Sequence, residues 1–322
     1  MPVLDVPGYR IDQEIHETEH SRIYRARRLV DSRSVILKTL KEEYPPLDEV
    51  VKYKREYEIA CSLQTLPSVG KMLALEKAGH RLVLVLEDFQ GTSLMKLLKK
   101  NGAFQLVEAL SLGLRMAGCL GDIHAARVVH KDVNPNNFLL NPSTDELKII
   151  DFGLASLFPK ESPTALKPGS MEGTLAYIAP EQTGRLNHSV DYRSDYYSLG
   201  ATLYHLLTGK LPFESSDFQQ LIHSHLAVNP VPPHLRGKGI PPIVSEIVLK
   251  LMAKDPHDRY QSARGLQVDL AECLDWVYKS GTAPAFAIGA SDHPAELCIP
   301  EKLYGREGEI TTLLDGFQRG AL

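Results

Sequence analysis

Only four cysteines occur in the 322 residues, Cys61, Cys119, Cys273 and Cys298, far apart and with no C-x-x-C spacing. Neither a disulfide framework nor a structural zinc site organises such a chain, and a reducing compartment is expected. No apolar run approaches the roughly 20 residues that a bilayer-spanning helix needs. The opening MPVLDVPGYR has neither the basic region nor the apolar core of a signal peptide, so a cytoplasmic location without a membrane span is expected. A basic surplus is lacking too: 36 Lys and Arg stand against 40 Asp and Glu, a net charge of −4. That argues against nucleic acid as a partner, and Arg25, Arg27 and Arg28 read as a solvated strand face beside a turn. No G-x-x-x-x-G-K-S/T segment occurs, which excludes a P-loop nucleotide site within these residues. What remains is 43% hydrophobic and 24% charged, a globular composition long enough for a substantial core.

The hydrophobic pattern changes character along the chain. Runs at 21–26, 34–40 and 72–75 are β-rich, and 82–86 is apolar throughout, as in a strand buried on both faces. One helical segment, 48–64, interrupts them. After Gln90-Gly91, Leu106, Leu110, Leu114, Ala117 and Leu120 recur at three- and four-residue steps, the mark of an amphipathic helix. Further helical patterns lie at 195–207, 216–227, 242–252 and 263–278, punctuated by Pro212, Pro230, Pro232 and Pro233. The expected fold is α+β and bilobal, with a small β-rich lobe carrying one helix (1–89) and a larger helical lobe (90–279). A cleft is expected where they join, near 87–91. Residues 280–299 read as a linker, and 300–322 as the start of a further, truncated region.

Phosphoryl transfer requires metal ions against the phosphates, a cation beside them and an oriented acceptor hydroxyl. Candidates for each occur in a consistent order. His130-Lys131-Asp132-Val133-Asn134-Pro135-Asn136-Asn137 lies between a helix and the apolar strand 138–140. A return through Lys148-Ile149-Ile150 leads into Asp151-Phe152-Gly153. Lys38 ends Val35-Ile36-Leu37-Lys38, and Glu56 sits on the single small-lobe helix. Downstream come the segment 173–181 (GTLAYIAPE), Asp195 in SDYYSLG and Arg259 in DPHDRY.

These segments, in this order, resemble those of protein kinases. The resemblance implies a bilobal kinase fold with ATP and Mg2+ as cofactors and a protein as substrate. It implies that Asp132 accepts or orients the proton of the substrate hydroxyl, that Asn137 and Asp151 hold magnesium, and that Lys38 grips the phosphates and pairs with Glu56. Leu86, Glu87, Phe89, His16 and Ser21 are the further expected nucleotide-binding positions, and Thr174 points to serine or threonine as the acceptor. Asp195 is expected to tie down the catalytic loop, and Arg259 to pair with Glu181. The longer segments HKDVNPNNFLL and EGTLAYIAPEQTGRLNHSVDYRSDYYSLGATLYHLLTGKLPF resemble one subgroup, as do IHSHLA, KDPHDRYQSARGLQVDLAECL and the terminal PEKLYGRE. It comprises the N-terminal serine/threonine kinase domains of bacterial multidomain hybrid kinases, where an AAA-type ATPase region follows, often with GAF and histidine kinase domains. The ATPase and histidine kinase domains of the same polypeptide are then expected partners.

The chain departs from the pattern in three places. His16, Thr18 and Ser21 stand where G-x-G-x-x-G is expected, so no glycine eases the backbone toward the phosphates. Asn134 stands where a lysine is usual; electrostatic stabilisers of that kind contribute ~3 kcal/mol to a transition state. Lys131 replaces an arginine, a point charge for a bidentate fork, while Ser156, Ser162, Thr164 and Ser170 are available phosphate acceptors. Two expectations therefore stand: an active serine/threonine kinase in bacterial signal transduction, or a pseudokinase acting as a nucleotide-responsive binding module. His223 and His225 diverge on a helix and read as structure, as do His124 and His130.

Overall fold

The computed structural model describes residues 5–17, 21–157, 175–186, 189–279 and 286–293. The chain divides into a compact unit, Met1–Asp292, and a C-terminal remainder, His293–Leu322. The account below concerns the first.

Five strands open the unit: β1 (Tyr9–Glu17), β2 (Ser21–Arg28), β3 (Ser34–Leu40), β4 (Met72–Ala78) and β5 (Arg81–Glu87), in the spatial order β1-β2-β3-β5-β4 with every neighbour antiparallel. The two-residue period of a strand sorts their side chains. Val35 and Leu37 of β3 join Tyr24, Ala26, Val83 and Val85 in a small core on one face, which leaves Ile36 and Lys38 on the other. The apolar run of β5 is explained the same way: Val83 and Val85 enter the small core, while Leu82 and Leu84 enter the main core. Both faces are covered, as its lack of alternation predicts.

Helix α1 (Leu47–Ser62) follows Pro46 and carries Asp48 and Glu49 in its first turn, where the helix dipole favours acids. Its buried stripe is Tyr53, Glu56, Ile59 and Ala60, so a carboxylate lies on the inward face. A charge buried there requires a partner.

The rest is largely helical. Strand β6 (Thr92–Ser93) leads to α2 (Leu94–Asn101), capped by the Ser93 hydroxyl, and to the central α3 (Leu106–Ala125). Of the short strands β7 (Val128–Val129), β8 (Phe138–Leu140), β9 (Leu147–Ile149) and β10 (Ser156–Leu157), β7 pairs with β10, and β8 lies between β6 and β9. Helices α4 (Arg193–Thr208), α5 (Phe218–Ala227), α6 (Pro233–Arg236), α7 (Pro242–Leu251) and α8 (Ala263–Lys279) complete the lobe. Helix α4 is buried on nearly every side and ends at Gly209 in the left-handed conformation. Among the described residues no helix is long and apolar enough to cross a membrane.

Candidate active site

Lys38, Glu56 and Asp151 meet although they come from a strand, a helix and a loop. Lys38 Nζ lies 2.8 and 3.1 Å from the two Glu56 oxygens and 3.0 Å from Asp151 Oδ1. Burial works against the charge on Lys38, but the carboxylates of Asp151 and Glu56 outweigh it and hold the ammonium protonated far above its ordinary range. Burial would raise Asp151, yet the Lys38 charge and the Gly153 N–H keep its carboxyl below the usual range. Burial pushes Glu56 up to about 7 against the pull of Lys38, with the Asp151 charge adding to the rise. Asp151 adopts φ +66°, uncommon for a residue with a Cβ, and the glycine at 153 leaves room beside both carboxylates.

The loop from His130 to Asn137 is held by its own amides. Asn134 Nδ2 donates to Asp132 Oδ1 (2.9 Å), and Asn137 Nδ2 donates to Asp132 Oδ2 (2.8 Å). Asn134 Oδ1 accepts the Asn136 N–H at 2.9 Å, so both ends of that side chain are engaged. Beneath the loop, the buried Asp195 accepts the N–H groups of His130 (2.9 Å) and Lys131 (2.8 Å) and meets His124 Nε2 at 2.8 Å. His130 is buried, which lowers its pKa, and acts as a neutral ring: Nδ1 accepts the Asp132 N–H while Nε2 bonds the Ile150 carbonyl. The Ile150 N–H in turn donates to the Asn137 carbonyl at 2.9 Å. Asp132, Asn137 and Asp151 therefore belong to one hydrogen-bonded assembly.

Below it, Arg259 grips Glu181 through two bonds of 2.6 and 2.8 Å, both side chains being buried. Removing one partner of such a pair costs about 3–5 kcal/mol. Tyr177, Ile178 and Ala179, beside Glu181, are buried against the large lobe. Next to this segment opens a cavity of about 460 Å³ lined by Ala176, Leu211, Phe213, Glu214 and Leu221 among others.

At the lobe junction Leu86 and Glu87 end β5, and Phe89 follows. Asp88, which the sequence pattern gave no reason to single out, binds Ser34 Oγ (2.6 Å) and Arg25 Nε (2.9 Å) in the small lobe. Phe89 is held from the other lobe, its carbonyl by Asn141 (2.9 Å) and its ring by Lys148 (4.5 Å to the centroid). Arg27 and Arg28 pair with Asp12 and Asp31, so the three arginines are more engaged than a merely solvated face. His16 is exposed in β1, opposite Ile23, directly after the second of two irregularities in the strand's register, whereas Ser21 is buried opposite Leu40. Glu17, the last residue of β1, is gripped by Lys41 (2.9 Å) and Arg22 (3.1 Å), which hold its carboxyl below the usual range. Thr174, Thr18, Ser162, Thr164 and Ser170 lie outside the described residues, as do residues 300–322.

The two lobes, the lysine–glutamate–aspartate contact and the amide-held loop define the fold and site of a protein kinase. Residues 9–270 match the protein kinase domain family, and the chain belongs to it. A probable serine/threonine-protein kinase of Clostridium perfringens is 32% identical over 265 residues, which are 81% of this chain and 38% of the relative. The serine/threonine-protein kinase PrkC of Bacillus subtilis is 29% identical over 269 residues (83% and 40%). PknB of Mycobacterium tuberculosis is 30% identical over 255 residues (78% and 40%). The chain thus spans about two-fifths of the length of these relatives.

Proposed function

We propose that this chain transfers the γ-phosphate of ATP to serine or threonine hydroxyls of a protein substrate, with Mg2+. The observation that carries the proposal is the Asp132 carboxylate, each oxygen held by a neutral amide and linked through Asn137 and Ile150 to Asp151 and Lys38. Asp132 is aimed to take the proton of the attacking hydroxyl as the new P–O bond forms and the bond from the γ-phosphorus to the bridging oxygen breaks, releasing ADP. Asn134 orients that base with a neutral amide, where a lysine would bring a charge. Lys38, braced by Glu56, would meet the phosphate oxygens.

The residues present fit magnesium. Its ligands are hard oxygens, commonly one or two carboxylates together with substrate phosphates. Asp151 and the amide oxygen of Asn137 are such donors, and among the described residues no cluster of three or more His, Cys, Asp or Glu could hold a metal alone. Bound there, the ion would neutralise phosphate charge and polarise the transferring group.

Leu86, Glu87 and Phe89 are proposed to flank the base of the nucleotide, with His16 and Ser21 on the covering hairpin. Thr174 and the relatives' names favour serine or threonine over tyrosine, and the cavity beside Ala176 gives a polypeptide substrate a place to lie. The complete lysine, aspartate and asparagine set argues against a pseudokinase. A cytoplasmic setting belongs to the proposal, in keeping with the free thiols of Cys61, Cys119 and Cys273. The finer reading, a kinase domain preceding an AAA-type ATPase and a histidine kinase domain, rests on the sequence segments quoted above.

The test is incubation of the full chain with γ-labelled ATP, Mg2+ and generic protein substrates, followed by phosphoamino-acid analysis. Label on serine or threonine is expected. Nucleotide binding without transfer across several metals and substrates would overturn the activity, and label confined to tyrosine the acceptor.

A further inference from the structure

The family match ends at residue 270, yet residues 286–292 return to the start of α8. Asp292 accepts hydrogen bonds from the N–H groups of Gln261 (2.7 Å) and Ser262 (2.9 Å) and from the Ser262 hydroxyl (2.8 Å). The carboxylate therefore lies at the positive end of α8, where backbone N–H groups lack intrahelical partners. The Gly289 N–H donates to Asp269 (2.7 Å), a buried carboxylate that also accepts from the Tyr260 hydroxyl. Phe286 and Ile288 pack against the main core.

The receiving surface is shaped for this segment. A methyl group on Gly265 would lie 2.5 Å from the Asp292 carboxylate oxygen and 2.6 Å from its Cα and Cβ, closer than such atoms approach. Glycine is otherwise a poor residue within a helix. Here the missing side chain makes room for Asp292.

We propose that residues 286–292 are a strap belonging to the catalytic unit, docked in a groove formed by Ser262, Gly265 and Asp269. Gln261 carries its influence inward. The Gln261 carbonyl accepts from Tyr192 (3.1 Å), its Nε2 donates to the carbonyls of Pro256, His257 and Arg259, and its Oε1 accepts from Arg193. The strap thus secures the loop that presents Arg259 to Glu181. It moves the C-terminal boundary of the folded unit past the end of α8 and into the stretch 280–299 that reads as a linker.

Two substitutions in the full chain approach the groove from opposite sides. Gly265→Ala improves helix propensity, so it raises Tm if the strap is undocked and lowers it by several degrees if the strap is docked. Asp292→Ala is expected to speed amide exchange at Gln261 and Ser262 at least about 10-fold. The double variant should be no worse than the more harmful single one, since both remove the same contact. Should either fail to fold, Asp292→Asn, which keeps the size and one acceptor, is expected to give an intermediate increase in exchange. A rise in Tm with Gly265→Ala, or unchanged exchange in the Asp292 variants, overturns the proposal. Neither readout depends on phosphoryl transfer, so this test stands apart from that of the activity.

Discussion

The floor and the roof of the cleft are built to different standards. On the floor, the loop from His130 to Asn137 is anchored to the buried Asp195, its amides hold both oxygens of Asp132, and the Glu181–Arg259 pair locks the segment below. On the roof, β1 is mostly exposed, its register against β2 shifts twice, and no glycine occurs in residues 9–28. The contrast follows from what each part is proposed to do. A proton acceptor misplaced by one ångström loses most of its effect. A cover over phosphates needs only to exclude water and offer backbone donors.

The largest effect that sharpens this contrast is expected on the floor. Asp132→Ala should lower kcat about 10³-fold, the scale of general-base catalysis, with nucleotide affinity nearly unchanged; single-turnover label transfer measures it. Asn134→Ala should cost about 10- to 100-fold in kcat, since a hydrogen bond to a charged group contributes ~1.5–3 kcal/mol. Its KM for ATP should stay within about twofold, because a positioning residue acts on the base and not on nucleotide binding. An Asn134→Ala effect confined to KM would contradict that assignment.

Acid probes the floor through another buried group. His225 on α5 lies 3.0 Å from the Tyr197 hydroxyl, and the Arg259 guanidinium stacks on the Tyr197 ring at 5.0 Å. Burial first, then the Lys254 charge, hold its pKa at about 3 against an ordinary 6.5. A depressed folded value means stability is complete above the ordinary pKa and is lost as pH falls toward the folded one. Between pH 7 and pH 5 the loss should reach ~2 kcal/mol. Denaturant titrations of wild type and His225→Gln at the two pH values check it, and equal slopes would remove His225 from the account. The smallest effect belongs to the roof: His16→Gly with Thr18→Gly should tighten ATP a few-fold while lowering Tm slightly, since glycine weakens a strand. If kcat instead rose about 100-fold, the roof would limit the chemistry and the comparison would break.

Much of this was legible in the residues because the site residues sit in short contiguous segments, even though those segments lie up to 113 residues apart in the chain. Lys38 and Glu56 were legible through the resemblance of their segments to those of protein kinases, and the alternation of β3, with Val35 and Leu37 in the small core, agrees with the place of Lys38. The fold's two parts followed from the change of hydrophobic period near Gly91. What stayed hidden is side-chain geometry, whether between distant segments or within one loop. Asp88 reaches back 54 residues to Ser34, and nothing in its neighbourhood signals that. Asn134 read as a lost positive charge, and only its geometry gives it a partner in Asp132. Residues 286–292 lack periodicity because a strap that docks through Asp292 and two backbone turns needs none.

The central claim is that the floor performs chemistry and does not merely bind nucleotide. The most direct measurement compares Asp132→Asn with wild type in one preparation, recording the Kd for Mg2+–ATP and the single-turnover rate of label transfer to a serine- and threonine-containing protein. An unchanged Kd with transfer reduced by about 10³-fold is predicted. Equal transfer by both proteins, or none by either while ATP binds normally, would contradict it.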